Sequence, residues 1–251
     1  MSAIRVTRAE IGTSRGPALA DLTVPGGSRR PSFLVVLTHG AGGRAGAPDL
    51  LAARDAAVRL GGAMALVTQP YRVRGARAPG SPARQDEAWR EIIVALRSDP
   101  RAGPDLPLIV GGRSNGARVA CRTAAALGAA GVIALAFPLR PPARRSPAPG
   151  PPAAGNGGVA GPVTREAELL AAAGAAIPVL VVNGDRDPFG IPAPGEAIRV
   201  VTLQGESHSL SGNPAAVAGA VTGWLSDVLP PLSGGRRARR AGSQRAVKER
   251  R

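Results

Sequence analysis

From Leu108 to Ala120 the sequence reads LIVGGRSNGARVA: an apolar run, two glycines, an arginine, a serine and a third glycine, then residues of helical character. Gly112-Arg113-Ser114-Asn115-Gly116 satisfies G-x-S-x-G. The bare pattern carries little, since glycine supplies 34 of the 251 residues and about one chain in four of this composition would contain it by chance. Its setting carries more. A serine on a sharp strand-turn-helix elbow needs small residues two before and two after it, because larger side chains would collide with the neighbouring strand and helix. Such an elbow exposes the serine oxygen and sets the following amide at a helix N-terminus, where it can stabilise an oxyanion. The plainer alternative is a serine that only caps its helix.

Outward from the elbow, apolar runs alternate with helical patterns. FLVVLTHG (33–40), AMALVTQP (63–70), LPLIVGG (106–112), GVIALAFP (131–138), IPVLVVNGDRDP (177–188) and AIRVVTLQG (197–205) read as strands. Most lack polar alternation, as expected of strands buried on both faces. DLLAARDAAVRLGG (49–62), RQDEAWREIIVALRSD (84–99), NGARVACRTAAALG (115–128), TREAELLAAAG (164–174) and NPAAVAGAVTGWLSDVL (213–229) read as helices. Thr164 is the expected N-cap of the fourth. AIRVTRAEIG and PALADLTVP form an N-terminal hairpin. The alternation predicts an α/β domain over residues 1–232, a mostly parallel sheet with helices on both faces. Residues 139–163 are a flexible Pro/Gly-rich insertion, and 233–251 a disordered basic tail.

The net charge of +15 invites a nucleic-acid reading, but all but one of the basic residues are arginine, in a chain rich in Ala, Gly and Pro. The tail from Gly234 carries +7 of that charge and leaves +8 on the body. Aromatics are 2%, so stacking platforms for bases are missing and no specific nucleic-acid partner is expected. The tail's charge suits weak, salt-sensitive anion binding. The single cysteine, Cys121, excludes an intrachain disulfide and offers no metal cluster. The start MSAIRVTRAE has no apolar stretch of signal length and no segment approaches a membrane span, so the expectation is a soluble, cytoplasmic protein with no membrane partner.

In open parallel sheets the chemistry gathers beyond the carboxyl ends of the strands. There the sequence places HGAGG, TQP, GGRSNG, FPLRP, NGDRDP and GESHS. A serine hydroxyl needs a base, and the chain has two histidines. His208, in the polar loop before the last helix, is the better placed; His39 reads as a residue that steadies its own loop. The imidazole needs a carboxylate, and Asp185 or Asp187 supplies one. With Asp187 the order is serine, acid, histidine at 114, 187 and 208, that of α/β-hydrolases. HGAGG (39–43) provides a glycine-rich loop whose Ala41 (or Gly42) amide joins that of Asn115 as oxyanion donor. The same glycines fit a dinucleotide fingerprint over residues 40–45, but the next strand ends LVTQP without the carboxylate such a loop requires. Arg113 is expected to pair with a loop carboxylate such as Asp185.

THGAGG, GGRSNGAR, AFPLRPP and NGDRDPFG, in that order from about Phe33 to Leu229, resemble the α/β-hydrolase superfamily. The likeness is to its small lid-less members similar to dienelactone hydrolases, in a mostly uncharacterised group that includes a subunit of an animal histone-acetyltransferase complex. The resemblance implies a three-layer α/β-hydrolase fold without a cap domain. It also implies Ser114 as nucleophile, His208 as base and Asp187 as acid, because Gly184-Asp185-Arg186-Asp187 matches G-x-x-D. Dienelactone hydrolases proper use cysteine where this chain has serine. The expected activity is hydrolysis of a small-molecule carboxylic ester or thioester with neither cofactor nor metal. The alternatives are a peptidase and a non-catalytic interaction protein acting within a complex; oligomeric state is not readable.

Overall fold

The computed structural model describes residues 5–26, 30–103, 105–142 and 164–229. Among them eight strands form one sheet: β1 (Arg5–Ile11), β2 (Ala18–Val24), β3 (Leu34–Thr38), β4 (Ala63–Thr68), β5 (Leu108–Arg113), β6 (Gly131–Leu135), β7 (Val179–Gly184) and β8 (Ile198–Leu203). Their order is β1-β2-β4-β3-β5-β6-β7-β8. The predicted hairpin β1–β2 pairs antiparallel to β4, and every later pairing is parallel.

Among the described residues six helices cover the sheet: α1 (Pro48–Arg59), α2 (Pro70–Val73), α3 (Pro82–Arg97), α4 (Asn115–Thr123), α5 (Glu166–Ala173) and α6 (Pro214–Val228). Period-two alternation divides the strands between two cores. Leu34 and Val36 of β3 and Val179 and Val181 of β7 join Trp89, Ile92 and Leu169 on the face covered by α3, α4 and α5. Val35, Leu37, Leu180 and Val182 point the other way, to Leu50, Val221 and Trp224 of α1 and α6. Apolar pressure on both faces explains why these strands lack polar alternation. The result is the predicted three-layer arrangement, with β5 near its centre and Ser114 where β5 gives way to α4.

Three local readings need correction. The helix read from Asn115 to Gly128 is α-helical only to Thr123. The rest is a tightened turn in which Gly128, at φ +60°, accepts the left-handed position. Ala129 N–H then reaches Ala124 O and Gly128 N–H reaches Ala125 O, the bond pair that closes a helix at glycine. Thr164 does not cap α5. Arg165 occupies the cap, where its guanidinium has no acceptor to offer the helix amides, and its own N–H donates to Leu139 O at 2.8 Å. Pro70, read as closing a strand, opens the short helix α2. The insertion expected from Leu139 is anchored at its start by that bond and by Arg140 N–H to Phe189 O. Its residues 143–163, and the tail 233–251, lie outside the described residues. No helix among the described residues is long and apolar enough to cross a membrane.

Candidate active site

Ser114 holds φ 52° and ψ −110°, a backbone conformation that costs an L-residue roughly 1–3 kcal/mol. Close packing enforces it. A Cβ on Gly112 would stand 2.5 Å from the carbonyl oxygen of Thr38, and one on Gly116 2.6 Å from the same atom. A side chain at either position would push β3 away, so the elbow needs glycine on both sides. Ser114 N–H donates to Leu135 O at 2.8 Å and fastens the turn to the end of β6.

His208 stands between β8 and α6, with Nε2 2.9 Å from Ser114 Oγ and Nδ1 2.8 Å from Asp187 Oδ2. With Nδ1–H donating to the carboxylate, Nε2 is free to accept the serine proton. Asp187 is fixed in turn: Phe189 N–H donates to Oδ1 at 2.9 Å and Asn183 Nδ2–H to Oδ2 at 3.3 Å. Asn183 is fully buried and binds both the N–H and the carbonyl of Phe137, clamping the loops after β6 and β7 together. The Phe189 ring meets the imidazole edge-on, 4.5 Å between centroids. Arg186 N–H donates to Glu206 O, joining the acid loop to the histidine loop. Ser114, His208 and Asp187 thus form one hydrogen-bonded chain. Asp185 is exposed and stands outside it.

Asn115 opens α4, so its N–H has no carbonyl one turn earlier within the helix. Its side chain turns into the protein and donates to Gln85 Oε1 at 2.6 Å. The loop Gly40–Gly43 passes directly over the serine: a Cβ on Gly40 would lie 3.2 Å from Ser114 Cβ. Tyr71 O–H donates to Ala41 O at 2.9 Å and steadies that loop. Ala41 and Asn115 line the same open cleft as Ser114 and His208, about 530 Å³ in volume, with Pro79, Pro138, Pro142 and Phe189 giving it apolar walls.

His39 is placed otherwise. Its Nδ1–H donates to Gly40 O at 2.8 Å and its Nε2 accepts Gln69 N–H at 3.1 Å. Burial pushes its pKa down, the Arg72 charge adds to this, and the Gly40 bond opposes it. Arg113 does not pair with Asp185. Its Nε lies 3.3 Å from Asp49 Oδ2 in the first turn of α1, and its Nη2–H donates to His208 O at 3.0 Å. Asp185 is held away because its backbone N–H pairs with Leu203 O at the far side of β7. Burial drives the Asp49 carboxyl up to about 6, while Arg113 and the first amides of α1 pull the other way. Asn183, Gln85, Tyr71 and Asp49 were not singled out in the sequence. Asn183 alone left a mark, as the polar residue inside the apolar run VLVVNG.

Cys121, on α4, is fully buried, and desolvation raises its thiol to about 12. No group of histidine, cysteine and acidic side chains suited to a metal ion occurs among the described residues.

The family described as "Alpha/beta hydrolase domain" matches residues 31–148, just under half of the chain, and so includes Ala41, Ser114 and Asn115 but neither Asp187 nor His208. No curated protein sequence matches. Among solved structures, XC6422 from Xanthomonas campestris, a serine hydrolase without a lid, is similar at TM-score 0.63 and 18% identity, over 90% of this chain and 96% of that one. The dienelactone hydrolase from Anabaena variabilis gives a TM-score of 0.66 at 17% identity, over 90% and 99% of the two chains. Est1E from Butyrivibrio proteoclasticus, solved with ferulic acid bound, gives 0.63 at 17% identity, over 87% and 98%. At such identities the likeness is one of fold: the chain has the α/β-hydrolase fold, in the form shared with lid-less serine hydrolases and dienelactone hydrolase.

Proposed function

We propose that the chain is a serine hydrolase that cleaves a small-molecule carboxylic ester or thioester through an acyl-enzyme. The observation that supports this best is the continuous hydrogen-bonded chain from Ser114 Oγ through His208 to Asp187, set on a strained elbow at the floor of an open cleft. In this reading Ser114 Oγ attacks the substrate carbonyl while His208 Nε2 takes its proton. Asp187 holds the tautomer and stabilises the imidazolium that forms. The N–H groups of Asn115 and Ala41 receive the developing oxyanion. Collapse of the tetrahedral intermediate breaks the bond to the alcohol or thiol, which leaves with the proton from His208. Water, deprotonated by the same nitrogen, then attacks the acyl carbon and frees Ser114. Every step uses groups of the chain and water.

Fluorophosphonate labelling followed by intact mass tests the reading. One adduct is expected on the wild type, and none on Ser114→Ala or His208→Ala. A folded wild type that takes no adduct would overturn it.

A further inference from the structure

The cleft in front of Ser114 presents three arginines, Arg113, Arg118 and Arg165, and no aspartate or glutamate among its described lining residues. The three are not equivalent. Arg113 is matched by Asp49 and by the carbonyl of His208. Arg118, one turn past Ser114 on α4, is gripped by both oxygens of Glu168 at 2.6 and 2.7 Å. Glu168 is shared with Arg122, which is itself paired with Asp86. Arg165 has no carboxylate within ion-pair distance among the described residues. Its guanidinium reaches only the carbonyls of Pro138 and Arg140, at 3.4 and 3.5 Å, beyond the usual range of a full N–H···O bond.

A partly buried guanidinium with unused donors, beside another guanidinium, is unfavourable until an anion meets it. Burial and the Arg118 charge both lower the proton affinity of Arg165, with Glu168 opposing them. The cluster sets Arg118, Arg122 and Arg165 against Asp86 and Glu168, so one positive charge is left over. That residue of charge suits one carboxylate better than the near-double charge of a phosphate monoester.

We propose that Arg165, backed by Arg118, forms an anion subsite of the cleft, and that the esters cleaved at Ser114 carry a carboxylate. This rests on the reading of Ser114 given above and names the substrate class for it. The free fork of Arg165 takes the carboxylate through two parallel N–H···O bonds. The substrate then lies along the Pro138 wall with its ester carbonyl delivered to Ser114, a gain in positioning.

Two matched pairs of esters test it: a mono-aryl adipate against the aryl hexanoate, and the butyrate ester of 4-hydroxybenzoate against that of its methyl ester. The first pair puts the charge in the acyl chain, the second in the leaving group. In at least one pair kcat/KM for the charged member is expected to exceed that for the neutral member by about tenfold at low salt, and the excess to shrink as sodium chloride is added. Arg165→Gln should bring the ratio to about one and Arg165→Lys should restore part of it. Arg199→Gln, which removes the same charge from the edge strand β8 outside the cleft, should leave the ratio as it is. Ratios near one in both pairs, with neutral esters cleaved and Ser114 labelled, would overturn the subsite and leave the hydrolase reading standing. A preference that survives Arg165→Gln would overturn it too. No cleavage of any ester and no adduct would remove the hydrolase reading, and the subsite with it.

Discussion

The two histidines occupy matching places, each just past the carboxyl end of a strand, and have opposite surroundings. His39 has both ring nitrogens engaged by backbone, at Gly40 O and Gln69 N, and is almost fully buried. His208 has a carboxylate on one nitrogen and a serine hydroxyl on the other, in a half-exposed loop. A backbone partner cannot change its charge to follow the ring, whereas a carboxylate stabilises the imidazolium and a hydroxyl can yield a proton. Burial reinforces the division by holding His39 neutral. The difference lies in what each nitrogen faces, since the residue type and the position past a strand are alike.

Exchanging the two histidines in turn breaks this comparison most sharply. His208→Ala is expected to lower kcat on a cleavable aryl ester by about 10⁴-fold, and Asp187→Asn by about 10³–10⁴-fold. Melting of both variants should stay near the wild type. His39→Gln should do the reverse, with kcat within about tenfold but stability lower by ~1–3 kcal/mol as Gln69 N–H loses its acceptor. Retained labelling in His208→Ala together with lost labelling in His39→Gln would invert the assignment.

A smaller effect is expected where Arg113 ties the carbonyl of His208 to Asp49. Arg113→Met alone would strand a buried carboxylate, so the informative variant is Arg113→Met with Asp49→Asn. It should fold and show kcat reduced by about 10–100-fold with KM little changed, because only the seat of the imidazole is loosened. Unchanged kcat would mean that the His208 loop holds itself.

The last effect leaves activity aside and falls on stability against pH. Asp49 has a folded pKa of about 6, above its unfolded value, so the native state holds the extra proton. Stability is therefore complete below the unfolded pKa and falls as pH rises towards 6. Relative to Asp49→Asn, the wild type should lose ~3 kcal/mol between pH 3.5 and 7, read by denaturant unfolding at each pH. A constant difference would show that Arg113 neutralises Asp49 throughout.

The sheet was legible because its strands are apolar on both faces and short enough to exclude helices, and the elbow because glycine is sterically required at 112 and 116. The grouping of Ser114, His208 and Asp187 was readable from their places at strand ends, together with a resemblance that favoured Asp187 over Asp185. The supports were not. Gln85 and Tyr71 act across 30 residues of sequence each, through contacts that only the packed sheet creates. The partner of Arg113 was misplaced for the same reason: Asp185 is near the histidine in sequence, but Asp49 is beneath it in space. The limit at Thr123 slipped because the glycine cap at Gly128 tightens the last turn before it, and that at Arg165 because a tertiary bond to Leu139 O sets where α5 begins.

Ser114 caps α4 and Cys121 lies in its last turn, a hydroxyl and a thiol seven residues apart with opposite fates. The thiol faces the core, uncharged at any physiological pH, while the hydroxyl faces the cleft. Peroxide and alkylating reagents act on thiolates, and this chain offers them none. On the proposed reading, chemistry at Ser114 is insulated from the redox state of its surroundings, a freedom that a cysteine in the elbow would forfeit.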